Sequence, residues 1–105
     1  MGYTWLMKTI HTTHVFDHWL EMLKDTQGKA RIYARLRRIE LGNFGDVKPI
    51  GQGVSEMRID YGPGYRVYFS QKGMEIVILL ADGDKSTQAN DIKIALKLAQ
   101  QMKEE

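Results

Sequence analysis

The stretch that decides the fold runs from Ser55 to Gln88 and reads SEMRIDYGPGYRVYFSQKGMEIVILLADGDKSTQ. Much of it alternates between polar and apolar residues, the spacing that sends successive side chains of a strand to opposite faces of a sheet. Turn residues at Tyr61–Gly64 and Gln71–Gly73 divide the stretch into three strands. We therefore expect an antiparallel hairpin followed by a third strand.

The alternation separates core residues from charged residues. In the first strand, Met57 and Ile59 share one face, whereas Glu56 and Arg58 share the other. The second strand repeats the pattern, with Tyr65, Val67 and Phe69 on one face and Arg66 and Tyr68 on the other. The third strand, 75–81, is apolar on both faces after its first residue, which predicts a central strand covered on both sides.

Three basic side chains are expected to converge on this sheet. The turn after the third strand ends in Asp84 and Lys85, and it would hold Lys85 near Arg58 and Arg66 if the strands are neighbours. A lone arginine on a strand is more often half of a surface ion pair than a catalytic group. Here Glu56 is the only acid expected on the same face, so the pattern favours a cationic groove.

The flanking segments predict helices on either side of the strands. Residues 5–12 form a weak strand candidate, and Thr13 can cap the helix that follows. Asp25 to Gly28 interrupts that helix, Gly42-Asn43 ends a second one, and the glycine-rich segment 42–53 is interpreted as a loop. Ser86 or Thr87 can cap a last helix. The expected core positions of the three helices are Phe16, Trp19, Leu20 and Leu23, then Ile32, Leu36 and Ile39, then Ile92, Ala95, Leu96 and Ala99.

Composition restricts the class of protein. The 105 residues suffice for one core, with about two thirds of the unfolded surface buried, and we expect a single domain over 1–105. The absence of cysteine excludes disulfides and zinc–thiolate sites, and no apolar run approaches the roughly 18 residues of a membrane span. These observations favour a cytoplasmic protein. The three histidines, His11, His14 and His18, cross a strand-to-helix junction without other ligands, so we predict no metal site.

The net charge of +2 is small, but its distribution is uneven. Five basic residues and no acid occupy one segment of the second helix: Lys29, Arg31, Arg35, Arg37 and Arg38. Such a run attracts phosphates or an acidic partner, although a solvated helix face is the simpler explanation.

A cationic site of this kind suits RNA strand scission. When a 2′-hydroxyl attacks its neighbouring phosphate, negative charge builds up on the phosphoryl oxygens, and the arginine fork binds these oxygens well. The expected catalytic residues are Arg66, Arg58, Lys85 as acid or electrostatic clamp, and Glu56 as base. The expected RNA contacts are Tyr68, Lys48, Arg35, Arg38 and Gln88.

An ELR-like element, GPGYR (62–66) and GDKSTQ (83–88) follow one another in this order. From about Phe16 to Ala95 the chain resembles the RelE/ParE superfamily of toxin–antitoxin toxins, in its phage-derived HigB-like addiction module killer branch. The resemblance implies an α+β, RelE-like fold: a mainly antiparallel four-stranded sheet, two N-terminal helices on one face, an RNA-binding groove on the other, and a C-terminal helix.

The same resemblance implies a function and partners. It implies a metal-independent endoribonuclease, without cofactor, that cuts mRNA on the ribosome and is neutralised by a helix-turn-helix antitoxin. It places Arg66, Arg58 and Lys85 where relatives carry basic groups. Messenger-cleaving relatives have a tyrosine or histidine near the C-terminal end, where this chain offers only Thr87 and Gln88, so the general acid stays open. Two alternatives stay open as well: a ParE-like inhibitor of DNA gyrase that lacks catalysis, and a degenerate toxin that only binds its antitoxin.

Overall fold

The computed structural model describes residues 7–104, which form a mixed α+β fold with a five-stranded sheet and three helices. The strands are β1 (Thr9–Thr12), β2 (Val47–Gly51), β3 (Val54–Ile59), β4 (Tyr65–Lys72) and β5 (Ile76–Gly83). The helices are α1 (His14–Met22), α2 (Thr26–Glu40) and α3 (Gln88–Lys103), and a 3-10 turn, Lys85–Thr87, precedes α3.

The strands are arranged in the order β1-β5-β4-β3-β2. β1 runs parallel to β5, and all other pairs are antiparallel. The predicted hairpin is confirmed, with Glu56 opposite Tyr68 and Arg58 opposite Arg66. β5 is paired on both sides and is largely buried, as expected, but the middle strand of the sheet is β4.

The prediction of four strands is wrong, because part of the expected loop 42–53 forms the edge strand β2. Its glycines and proline are typical of a loop, so the sequence did not indicate a strand there. Proline lacks a backbone N–H, and Pro49 is tolerated there because an edge strand has positions that face solvent instead of a neighbouring strand. The pairing with β3 is irregular between Pro49 and Gly51, as is common at sheet edges. At the other edge, the expected strand 5–12 is observed only for Thr9–Thr12, and residues 5 and 6 lie outside the described range.

Helices α1 and α2 contribute to a core on one face of the sheet. The side chain of Thr13 accepts a hydrogen bond from the Phe16 N–H (3.1 Å) and caps α1 as predicted. Asp25 caps α2 in the same way through the Gly28 N–H (3.0 Å), so the interruption is shorter than expected and Gly28 lies within the helix. The buried residues of this core are Phe16, Leu20, Ile32, Leu36, Ile39, Met57, Ile59, Tyr65, Val67, Phe69, Val77 and Leu79, with Trp19 and Leu23 half-buried against them.

The opposite face carries α3. Ala95 and Ala99 are buried against Val54, Tyr68 and Leu80, and Ile92 and Leu96 are half-buried beside them. Thr87 occupies the cap position of α3 without a side-chain cap bond; Asp84 instead caps the 3-10 turn. The predicted groove face is therefore partly covered by α3, and an opening lies near each end of that helix. No helix within residues 7–104 has the length and apolar character needed to cross a membrane.

Asp82 is an exception among the core residues, because it is a carboxyl group only 3 % exposed. Neither of its oxygens has a hydrogen-bond partner among the described residues. Burial, and then the negative charges of Asp91 and Asp17, raise the pKa of Asp82 to about 9. A carboxyl group in this position is neutral at pH 7, since an unpaired buried charge is expensive.

This raised pKa makes the stability of the fold depend on pH. The folded state binds a proton at Asp82 more tightly than the unfolded state does. The contribution of Asp82 to the free energy of unfolding is therefore fully present below about pH 4 and declines as the pH rises toward about 9. The loss is at most about 1.4 kcal/mol per pH unit. In Asp82→Asn this decline should be absent. Between pH 5 and pH 8, urea unfolding should show the free energy of unfolding of the variant rising relative to that of the parent. Asp60→Asn, at an exposed position, is the matched control; parallel pH curves for parent and Asp82→Asn would contradict the assignment.

Candidate cationic site

One opening on the α3 face lies where the β3–β4 hairpin meets the segment that leads into α3. It is a pocket of about 460 Å³. The structure brings Arg58, Arg66 and Lys85 together in its lining, as the sequence predicted. Arg58 and Arg66 are neighbours on adjacent strands, and Gly83 at the end of β5 lies opposite Arg66.

Arg66 is held from two sides. Its Nη1 donates a hydrogen bond to the carbonyl oxygen of Gly64 (3.1 Å), and its Nε lies 3.5 Å from Oε2 of Glu56. That distance makes an ion pair, but the Nε has no hydrogen-bond partner among the described residues. The side chain is 13 % exposed, so Arg66 is largely desolvated.

Glu56 lies beneath the pocket and not at its surface. The residue is 2 % exposed, and its Oε2 accepts a hydrogen bond from Nε2 of Gln88 (2.8 Å) in the first turn of α3. A buried carboxylate needs such partners, and here they are Arg66 and Gln88. The expectation that Glu56 faces the groove is therefore wrong, and its contacts favour a role for Glu56 in orienting Arg66.

Two of the expected RNA contacts are also turned inward. The ring of Tyr68 is fully buried under α3 and cannot stack on a base, so that expectation is wrong. Burial, and then the negative charge of Glu56, raise the pKa of Tyr68. Gln88 is half-buried and donates an amide N–H to Glu56, so its contact in this structure is with the protein itself.

Arg58 is paired with a residue that the sequence analysis did not include. Its Nη2 donates to Oδ1 of Asp46 at 2.9 Å, and both side chains are about half exposed (44 % and 57 %). Asp46 and Asp60 line the pocket together with the three basic groups, so Glu56 is not the only acid nearby. The lining still carries one more positive than negative charge. No sequence motif indicated Asp46 as a site residue, because Asp46 is brought to Arg58 only by the pairing of β2 with β3.

Lys85 reaches the pocket from the 3-10 turn. Gly64 lies between the two cations: a Cβ added to it would lie 3.5 Å from Nη1 of Arg66 and 3.7 Å from Cβ of Lys85. The turn is fixed by Asp84, whose Oδ1 accepts from the N–H of Ser86 (2.8 Å). The ε-amino group of an exposed lysine on such a turn is free to reach an anion in the pocket.

The junction between β5 and α3 depends on Gly83, which sequence reasoning missed. A Cβ at this position would lie 1.9 Å from Oδ2 of Asp91 and 2.7 Å from Oγ1 of Thr87. Thr87 donates a hydrogen bond to Asp91, and burial raises the pKa of that carboxyl group. The absence of a side chain at Gly83 thus allows α3 to start directly beside the pocket.

The remaining predicted RNA contacts lie outside the pocket. Lys48 is exposed on β2, opposite Glu56, and shares its face of the sheet. Arg38 is exposed on α2. Arg35 has a structural contact, because it donates to the carbonyl oxygens of Arg58 (2.6 Å) and Phe44 (3.0 Å). Within residues 7–104 no cluster of histidine and carboxylate groups could hold a metal ion.

Comparison with known proteins yields a family and a relative. Residues 18–104 match the family described as phage derived protein Gp49-like (DUF891). A protein of Haemophilus influenzae, described as uncharacterized, is 53 % identical over 93 residues, which cover 89 % of this chain and 94 % of the relative. The matched region includes every residue of the cationic pocket.

The buried contacts around Arg66 predict an energetic coupling. Glu56→Gln removes the charge that holds Arg66, and Gln88→Ala removes the amide that holds Glu56, so each change should cost about 1–3 kcal/mol of stability. Because both act on one network, the double variant should depart from the sum of the single variants by about 0.5 kcal/mol or more. Urea unfolding of the four proteins measures this difference. Strict additivity would show that Gln88 and Glu56 act independently.

Proposed function

Because the chain belongs to the Gp49-like family of phage-derived proteins, which are RelE/HigB-type toxins, we propose that it is the toxin of a type II toxin–antitoxin system and an mRNA endonuclease that acts on the ribosome. The observation that carries the enzymatic part of the proposal is the convergence of Arg58, Arg66 and Lys85 on one pocket. Three basic groups from three separate segments suit a phosphate whose charge increases during the reaction.

The residues of the pocket divide into binding and orienting groups. Arg66 and Arg58 bind the phosphoryl oxygens, and Arg58 must exchange its contact with Asp46 for the phosphate. Glu56 and Gln88 orient Arg66 from below, which keeps its guanidinium in place before RNA arrives. Such preorganisation is useful because it leaves little reorganisation for the transition state.

Proton transfer is assigned to groups that reach the pocket. Asp46 and Asp60 are the carboxylates in its lining, and they take over the role of base from the buried Glu56. Lys85 acts as electrostatic clamp or as donor to the leaving 5′-oxygen. Lys48 and Arg38 are exposed outside the pocket, and each contacts the RNA backbone beyond it. No metal or cofactor takes part in this scheme.

The family also suggests an antitoxin partner, and we infer a small helix-turn-helix protein encoded beside the toxin. The proposal as a whole is tested by primer extension on cellular messengers after brief induction of the chain. Discrete cuts within translated codons support it. A DNA-damage response without cuts would replace it with inhibition of DNA gyrase, and growth without either effect would leave a protein that only binds its antitoxin.

Substitution of Arg66 tests its role in catalysis. Arg66→Ala should abolish growth arrest, but it also leaves the buried Glu56 without its ion pair. Arg66→Lys keeps the charge beside Glu56 and loses the planar fork, so it should fold like the parent and cleave about 10²-fold more slowly. Thermal unfolding and single-turnover cleavage of ribosome-bound mRNA measure the two effects. Lys97→Ala, on the exposed side of α3, is the control, and full toxicity of Arg66→Lys would refute the assignment.

Substitution of Lys85 separates a clamp from a proton donor. Lys85→Gln should lower the cleavage rate at least about tenfold more than it weakens RNA binding, because the contact strengthens as charge develops. Lys85→Arg keeps the charge but does not release a proton near neutral pH, so a clamp survives the change in part and a donor does not. Equal losses of binding and rate in Lys85→Gln would mark Lys85 as a simple RNA contact.

A further inference from the structure

A second opening lies at the other end of the α3 face, away from the cationic site. It is a cleft of about 570 Å³ between the C-terminal half of α3 and the sheet. Its apolar surface includes Ile78 of β5 together with Ala99 and Met102 of α3. From Arg66 to Lys72 the strand β4 spans about 20 Å, which separates the cleft from the cationic pocket.

The cleft follows from an imbalance between the two faces of the sheet. Five strands spaced about 4.8 Å apart make a surface about 19 Å wide between the outer strands, and a helix with its side chains is about 10 Å across. Two helices, α1 and α2, contribute to the core on one face, whereas α3 is the only helix on the other face within residues 7–104. One helix covers about half of such a surface, which leaves room for a second helix on this face.

The charges around the cleft are of one sign. Its ionisable lining residues are His11 of β1, Lys72 of β4 and Lys103 of α3, and none of its lining residues is an aspartate or glutamate. Nζ of Lys103 is 3.5 Å from the carbonyl oxygen of Gln52 and meets no carboxylate in the described part of the chain. The neighbouring Glu104 accepts a hydrogen bond from Gln100 and does not line the cleft. The cationic pocket differs, because two aspartates line it.

We propose that an acidic amphipathic helix of the antitoxin docks in this cleft and completes the second helix layer. This proposal rests on the toxin assignment and adds to it the place and chemistry of the interface. Apolar side chains of the helix contact Ile78, Ala99 and Met102, in the manner of a helix lying in a groove. Its aspartates and glutamates pair with Lys72 and Lys103, which fixes its orientation and speeds association.

Charge reversal within the purified full-length chain tests the docking site. The double variant Lys72→Glu, Lys103→Glu should bind the antitoxin encoded beside the toxin at least tenfold more weakly than the parent, measured by calorimetry at 150 mM salt. The matched control is Lys93→Glu, Lys97→Glu, which makes the same charge change on the exposed side of α3. Its affinity should stay within threefold of the parent. RNA binding by both variants should be retained, since the cleft lies far from the cationic pocket.

The outcomes separate the docking site from the toxin assignment. Equal affinity of parent and cleft variant, or equal losses in the cleft and control variants, would overturn the docking site and leave the toxin assignment intact. Failure of the neighbouring gene product to bind the parent would overturn the docking site, and the cleavage assay would then decide the toxin assignment by itself. If the parent is a dimer and only the cleft variant is a monomer, a second copy occupies the cleft and the proposal is wrong.

Discussion

The strict alternation of side chains along β3 and β4 is the constraint on which the rest of this structure depends. It sends Met57, Val67 and Phe69 into the core beneath α1 and α2, and it sends their neighbours to the other face. A strand cannot change one set without moving the other, because a shift of one residue exchanges the two faces. The hydrophobic core and the row of charges above it are therefore set by a single register.

The same register places a carboxylate in a buried position, where it needs ion-pair and hydrogen-bond partners. Glu56 is buried where α3 covers the sheet, and there it is contacted by Arg66 and Gln88. Asp82 has neither kind of partner among the described residues, and its pKa is accordingly raised. The two buried acids show that the environment, and not the residue type, decides between an ion pair and a neutral carboxyl group. One orients the cationic site, and the other makes stability depend on pH.

Coverage of the α3 face by one helix divides it into two regions with different chemistry. At one end, α3 starts beside Gly83, and its first turn supports the pocket that we assign to RNA. At the other end, the last turns of α3 line a cleft that carries apolar side chains and two lysines. The proposed RNA site and the proposed antitoxin site therefore lie near opposite ends of one helix.

Local patterns in the sequence determined the elements with strong periodicity. The hairpin, the buried strand β5 and the stripes of α1, α2 and α3 follow from spacings of two and of three to four, which depend only on neighbouring residues. The grouping of Arg58, Arg66 and Lys85 followed from the same reasoning, because adjacent strands and the turn after β5 bring them together.

Tertiary structure decided the features that depend on contacts between distant segments. The edge strand β2 forms through pairing with β3 and has no periodic signal of its own. The burial of Glu56 and Tyr68 required knowing where α3 crosses the sheet, and the partner of Arg58 is Asp46, twelve positions away. Alternation tells which face a side chain is on, but only the packing of α3 decides whether that face meets solvent. This is why the sequence predicted the grouping of the three basic residues, while the structure assigned the residues around them to surface or interior.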